Sequence, residues 1–413
     1  MTITNKFKMF SKNANLYLLA IVFFYISMGS FSMLQGIYVK EINIDESFLG
    51  LILSAKTLAI AVASIPCAMI VNKIGRKKGL FITMLMVPLC NIFQAIFINR
   101  WVILFLALIQ GAAQGFLLVS EGPFFMDNST PKYRIKLFSY AFAMNVFSTM
   151  FGYFIFGHIS NGLGNALGFV AGLKYSIIIS GLIGLISCLI ILRIHEDKST
   201  MTKVTTNFVK DMGNILRKPY PIKLFIYNLL IGFGAGLVVP YFNVYLKYKV
   251  HASTSQIGVI MSLAQGAMGI GGLITPHMAA KFGKVKTIII CQVLSIPFLM
   301  LIALPPNLMI VATAMFMRNG LMNMSGPVVN NMAMELIEPS ERSIFASING
   351  ISNNLSRAFS AMVGGFIMNV LPNGYEVPYF ITAITYIIAT LFFYRAFRGI
   401  DDKNKSKKSY GKS

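Results

Sequence analysis

The 413 residues are 56% hydrophobic and only 12% charged, with a mean hydropathy of +0.68, a composition that excludes an ordinary water-soluble globule. Lys and Arg number 36 against 14 Asp and Glu, a net charge of +22. Such an excess would suggest phosphate binding in a soluble chain, but here the cations sit in short polar stretches between long apolar runs, so no nucleic-acid partner is expected.

Crossing ~30 Å of hydrocarbon takes about 20 apolar residues in a helix. Runs of that kind are predicted at 14–39, 47–71, 79–98, 101–126, 137–159 and 174–193. Six more follow at 222–247, 254–280, 286–305, 307–334, 343–371 and 376–397. The first run is too long for a signal-peptide core and has no small-residue cleavage site with a hydrophilic chain behind it, so it reads as a span. With both termini placed on the cytoplasmic side, 28 of the 36 cations fall inside and 5 outside (Lys40, Arg100, Lys174, Lys247 and Lys249). The positive-inside rule therefore predicts a multi-pass cell-membrane protein with cytoplasmic termini. The lysines of the tail read as an anchor near anionic lipid. Cys67, Cys90, Cys188 and Cys291 lie inside spans at no metal-ligand or redox spacing and read as small apolar residues, so no metal is expected.

The longest internal polar stretch, 193–218, divides six spans from six. An offset of 208 residues superimposes the halves: Ser47 on Ser255, Gly50 on Gly258, Lys73 on Lys281, Gly75 on Gly283, Pro131 on Pro339, Arg134 on Arg342, Asn145 on Asn353. The fourth spans align at 204, which pairs Gly122-Pro123 with Gly326-Pro327 and Gln114 with Arg318; a four-residue insertion before Pro339 would account for the slip. Duplicated halves are the internal symmetry of a transporter that rocks one half against the other. The predicted segments are a bundle at 1–192, a linker at 193–221, a bundle at 222–397 and a basic tail at 398–413.

Between the second and third spans the chain reads Asn72-Lys73-Ile74-Gly75-Arg76-Lys77-Lys78, echoed by Lys281-Phe282-Gly283-Lys284-Val285-Lys286. Glycine permits the bend, and the clustered cations hold the turn on one side of the membrane. With the 6+6 layout and the long central loop, this turn resembles the major facilitator superfamily over essentially the whole chain, nearest to bacterial drug-efflux-like permeases. The family's G-x-x-x-D-[RK]-x-G-[RK]-[RK] is met by Lys73, Gly75, Arg76 and Lys77. Ala68 stands for the first Gly and Asn72 for the Asp that partners helix dipoles and basic groups. The resemblance implies an all-α membrane fold of 12 transmembrane helices in two pseudo-symmetric six-helix bundles. It also implies gating roles for these turns, and for Glu121 with Arg134 and Glu335 with Arg342 as salt-bridge locks. A proton-carrying role for Glu121 is the alternative.

Three cations lie inside spans, where insertion scales charge ~2.5–3.5 kcal/mol for each. At 1.5 Å per residue, Lys56 is roughly 14 Å into the second span, Arg318 roughly 15 Å into the tenth and Arg357 roughly 20 Å along the eleventh. No acid lies at comparable depth. By analogy with the family fold these cations face one cavity, and a guanidinium fork suits carboxylate, phosphate or sulfate. The alternative is that helix carbonyls, amides or water satisfy them. Gln110 and Gln114, Asn319 and Asn323, and Asn349, Asn353 and Arg357 recur at steps of four, each set on one helix face. Of these, Gln110, Gln114, Asn323 and Asn353 join the three cations as candidate substrate contacts. Spans 3, 6, 9 and 12 carry few such groups and read as lipid-facing.

The sequence thus predicts a secondary transporter of a small or amphiphilic organic solute, anionic or polar, acting as a monomer without a cofactor, its proton coupling left open. Proton-coupled multidrug efflux is the runner-up: the Gly-Pro of the antiporter signature is absent at 150–154, and Ala107 replaces the Arg of R-x-x-Q-G. A transport-inactive receptor on the same fold is a third reading. An enzyme is disfavoured by the lack of any H-E-x-x-H, G-x-S-x-G or Cys-His cluster.

Overall fold

The structure, a computed structural model, describes residues 10–196, 208–304, 307–338 and 341–400. Linker residues 197–207 and the basic tail from 401 lie outside the described residues. The described chain is α-helical and divides into two compact units.

The first unit holds α1 (Lys12–Glu41), α2 (Glu46–Ile74), α3 (Arg76–Ile96), α4 (Arg100–Asp127), α5 (Pro131–Leu167) and α6 (Phe169–Leu192). Residues 240–263, with the short α9 (Phe242–Tyr248) and the start of α10 (Thr254–Phe282), also cluster with it. The second unit holds α7 (Phe208–Leu216), α8 (Pro219–Val238), the rest of α10, α11 (Lys284–Ala303), α12 (Leu308–Leu336), α13 (Arg342–Val370) and α14 (Val377–Phe397). A 3₁₀ turn at Val239–Tyr241, where Pro240 removes a backbone donor, separates α8 from α9.

Ten helices among the described residues are long and apolar enough to span, counting Pro219–Tyr248 as one. Leu308–Leu336 and Arg342–Val370 match them in length but are interrupted by Arg318, Asn319 and Asn323, and by Asn353, Asn354 and Arg357. The candidate arginines are thus carried by the two least apolar long helices.

Helix pairs recur in the two units. In the first, α1 packs on α5 and α6, and α3 on α4 and α6; in the second, α8 packs on α13 and α14, and α11 on α12 and α14. Lipid offers no hydrophobic gain for helix association, so close approach of small residues carries the contact. A β-carbon on Gly29 of α1 would fall 2.6 Å from the Thr149 carbonyl oxygen of α5. One on Gly271 of α10 would fall 2.9 Å from the Gly320 carbonyl oxygen of α12.

Local signals in the repeated helices also coincide. Asn99 caps α4 by accepting from Trp101 N at 2.9 Å, and Asn307 caps α12 by accepting from Met309 N at 3.0 Å. These caps lie 208 residues apart, as do the ion pairs Arg76–Asp127 and Lys284–Glu335. The offset of 204 expected across the fourth spans is therefore corrected to 208. A four-residue slip is close to one helical turn, which keeps the same face and so mimics an insertion in sequence. The structural register pairs Gln110, not Gln114, with Arg318.

Candidate functional site

In the second unit, Arg318 of α12 is 3% exposed. Its Nη1 donates to Asn319 Oδ1 at 3.0 Å and its Nη2 to the Tyr386 hydroxyl of α14 at 3.3 Å. Arg357 of α13 lies within coulombic reach of both Tyr386 and Arg318, and its buried Nε meets no hydrogen-bond acceptor. Two like charges at close quarters repel, and the phenol between these elements works against that repulsion. Apart from Glu335 in the last turn of α12, no membrane helix of this unit contains an Asp or Glu.

Glycines of α8 let the neighbouring helices come this near. A β-carbon on Gly234 would lie 2.5 Å from the Tyr386 ring, and one on Gly236 would lie 2.8 Å from Arg357 Cα. Thr382 Oγ1 also donates to Gly234 O at 3.0 Å, fixing α14 on α8. Asn353 packs against Gly232, and Asn349 accepts from Asn228 Nδ2 at 3.0 Å. Asn323 is exposed and donates to the Asn319 carbonyl at 2.9 Å. The structure thus groups Asn319 and Tyr386 on Arg318, with Arg357 within coulombic reach and Asn353 one turn from it on α13.

In the first unit, Lys56 of α2 is half-buried, with Nζ 5.6 Å from the centre of the Phe31 ring, a cation–π distance. Among the described residues it has no hydrogen bond and no ion pair. Gln114 is half-buried, its Nε2 4.0 Å from Met28 Sδ. Gln110 has a different setting: it is fully buried in an amide chain. Gln35 Nε2 donates to Gln94 Oε1 at 2.9 Å, Gln94 Nε2 to Gln110 Oε1 at 3.3 Å, and Gln110 Nε2 to Asn91 Oδ1 at 2.6 Å. Its carboxamide is committed to α3.

The gating residues are also paired differently from the expected locks. Glu121 accepts from the Tyr17 hydroxyl at 2.8 Å, and no ion pair joins it to Arg134. Glu335 pairs with Lys284, whose Nζ also reaches Asn331 Oδ1 at 2.6 Å, while Arg342 Nε donates to the Ile337 carbonyl at 3.2 Å. In the first half the equivalent cation, Arg76, pairs with Asp127 and reaches the Pro123 carbonyl at 3.4 Å. The acid that answers each turn is therefore the last-turn residue of the helix that packs on α3 or α11. Glu121 lies six residues too early for that job.

Gly75 and Gly283 adopt φ values of +95° and +91°, the region that a side chain disfavours. Asn72 and Lys73 are exposed, and Lys281 Nζ lies 5.3 Å from the Phe282 ring. Lys77 Nζ donates to the Leu192 carbonyl at 2.9 Å. In the second unit Lys218, just ahead of α8, donates to Glu338 at 2.7 Å and to Glu341 at 2.8 Å. Those hydrogen bonds hold its ammonium above the ordinary lysine pKa, so the pair persists through neutral pH and is lost only as pH rises beyond that value.

Sequence reasoning missed Tyr386 because span 12 reads as lipid-facing. The available signal is Thr382, Tyr386 and Thr390, a polar stripe at steps of four, all buried. Spans 3 and 9 correct the same expectation. Asn91 and Gln94 are buried on α3, and Gln292 of α11 donates to the Tyr227 hydroxyl and accepts from Thr390 Oγ1.

The family model described as Major Facilitator Superfamily matches residues 17–223 and again 224–412. Quinolone resistance protein NorA of Staphylococcus aureus (strain MRSA252) is 22% identical over 361 residues, covering 83% of this chain and 84% of that protein. Among solved structures, nucleoside transporter NupG superimposes with a TM-score of 0.78 at 13% identity, over 94% of this chain and 99% of that one. A bacterial homolog to the human lysosomal transporter Spinster gives 0.74 at 14% identity over 94% and 98%. A D-xylose-proton symporter gives 0.73 at 14% identity over 92% and 96%. At these identities the structural likenesses speak to the fold alone.

Proposed function

The chain belongs to the major facilitator superfamily and is a secondary transporter working by alternating access; we propose that its cargo is a small or amphiphilic organic solute, anionic or polar. One observation carries this reading: Arg318, bonded to Tyr386, and Arg357, within coulombic reach of both, lie in a unit whose membrane helices bring no acid to that depth. A carboxylate, phosphate or sulfate would relieve the repulsion between the guanidiniums and receive their forked donors. A neutral or cationic solute would leave that repulsion standing. Asn323 and Asn353 are the polar contacts proposed beside them, and Lys56 and Gln114 are proposed separately as solute contacts of the first unit; Gln110, whose carboxamide is taken up by Asn91 and Gln94, is not among them.

The rest of the architecture belongs to the same proposal. Twelve spans form two six-helix bundles, 1–192 and 222–397, joined by a linker at 193–221. Both termini and the basic turns face the cytoplasm, as the one-sided distribution of Lys and Arg supports. The protein works as a monomer. The turns with their residues Asn72, Lys73, Gly75, Arg76, Lys77, Lys281, Gly283 and Lys284, and Glu121, Arg134, Glu335 and Arg342 near them, govern the change of access.

Drug efflux is the second reading, favoured by the similarity to the quinolone resistance protein. A thermal-shift screen of the purified full chain separates the two, using a sugar phosphate, a dicarboxylate, a nucleoside and a lipophilic quaternary ammonium as probes. Hits are then followed as flux in proteoliposomes, with and without a pH gradient. Stabilisation by the anions, lost in Arg318→Ala, supports the first reading. Stabilisation by the quaternary ammonium alone, unchanged in Arg318→Ala, supports efflux.

A further inference from the structure

In the second unit α11 and α12 are tied at the basic turn by Lys284 and Glu335, and farther along Ser295 Oγ donates to Met322 Sδ at 3.7 Å. Beyond that point a cavity of about 290 Å³ opens between them. Phe298 and Leu301 of α11 and Met309, Ile310, Thr313 and Ala314 of α12 line it.

The first unit shows that the repeat does not require this space. Gly75 and Gly283, and the capping residues Asn99 and Asn307, hold the two halves at a constant offset of 208 across these helices. Leu301, Met309 and Thr313 therefore correspond to Phe93, Trp101 and Phe105. Three ring side chains stand where the second unit has a leucine, a methionine and a threonine.

The cavity opens onto a flank suited to hydrocarbon. Leu301, Met309 and Ile310 of its wall are exposed, as is Leu304 next to them, and no charged residue occurs between Lys286 and Arg318. Water is a poor occupant, because it needs about 2–4 polar partners and Thr313 is the one polar side chain among the lining residues. Left empty, the wall forfeits the dispersion contacts of a packed surface. An unbranched hydrocarbon chain restores them.

We propose that this cleft binds an acyl chain of a membrane phospholipid, gripped by α11 and α12 through packing and without regard to the headgroup. The inference rests on the chain's passage through a membrane and makes no use of the cargo.

The full chain, purified and delipidated in detergent, tests it, with palmitoyl-oleoyl phosphatidylcholine and the phosphatidylglycerol of the same chains as probes. Native mass spectrometry should show either lipid retained equally well, and each should raise the melting temperature by a few degrees. Thr313→Phe, which puts the first unit's side chain into the cleft, should lower retention of both lipids about tenfold. It should also raise the melting temperature of the lipid-free protein by itself. Leu301→Phe asks the same question from α11, so a folding failure of one variant leaves the other to decide. Ile384→Phe, on the exposed flank of α14, should keep the wild-type response to lipid.

Retention unchanged in the filled variants overturns the proposal. So does a preference for phosphatidylglycerol that survives in them, which would place the lipid on a headgroup site elsewhere. A wild-type dimer that Thr313→Phe dissociates would assign the cleft to a second copy of the chain and overturn it as well. No transported solute enters these measurements, so failure of the cargo reading and failure of this one are distinguishable.

Discussion

Arg318 donates to the hydroxyl of Tyr386 across 3.3 Å, so the deepest cation of the tenth span is held by a residue of the twelfth. Tyr386 in turn lies within coulombic reach of Arg357. The phenol thus orients the Arg318 guanidinium, with a second guanidinium close by. Tyr386→Phe removes that acceptor without changing the shape of the ring. A hydrogen bond to a charged group is worth about 1.5–3 kcal/mol. Tyr386→Phe is therefore expected to weaken binding of an anionic ligand by roughly tenfold or more, measured by isothermal titration with protein that keeps its wild-type melting temperature.

Gln110 separates packing from recognition. Its carboxamide bridges Gln94 and Asn91 in a fully buried chain. Gln110→Leu should leave both partners short of a hydrogen bond and cost about 1–3 kcal/mol of stability. Ligand affinity per folded molecule should be unchanged. Thermal unfolding and a binding titration on the same preparation check the two halves of this expectation.

Tyr17 and Glu121 form a part-buried pair at 2.8 Å. Tyr17→Phe leaves the carboxylate without this donor and is expected to destabilise the chain by about 1–3 kcal/mol. Adding Glu121→Gln removes the charge that needs the donor, so the double variant should recover much of the loss. A double-mutant cycle on thermal unfolding reads the coupling directly.

Gly75→Ala should be costlier than an ordinary loop substitution. It places a side chain at φ +95° and drives a β-carbon to 2.5 Å from Glu196 Oε2. Strain at such a backbone costs on the order of 1–3 kcal/mol, before the displaced carboxylate is counted. Thermal unfolding of the variant measures it, and Gly75→Asn, whose side chain tolerates positive φ better, should be milder.

Much of the fold is legible in the sequence because a membrane makes its demands in one dimension. Runs of about 20 apolar residues and one-sided cations need no tertiary information. The duplication is equally visible, since Gly75 and Gly283 answer a local backbone requirement that either half must meet. The register of the fourth span is not, because a shift of one helical turn preserves the face and Gly-Pro pairs attract the alignment. The partners of the charges are hidden for a different reason. Proximity along the chain favours pairing Glu121 with Arg134 and Glu335 with Arg342, whereas side-by-side helix packing selects Asp127 for Arg76 and Lys284 for Glu335. Arg318 announces itself as a cation in an apolar run, but Tyr386 is an unremarked aromatic until α8, α13 and α14 are brought together by Gly234 and Gly236.

The central claim is that the cargo is recognised as an anion by the guanidiniums at Tyr386. Equilibrium binding of the most stabilising anionic probe to wild type, Arg318→Gln and Arg357→Gln tests it most directly. Each substitution should raise Kd by about tenfold or more while the melting temperature of the unliganded protein falls little or rises, because a repulsion is relieved. Equal Kd values in all three proteins, or measurable binding for lipophilic cations alone, would contradict the account.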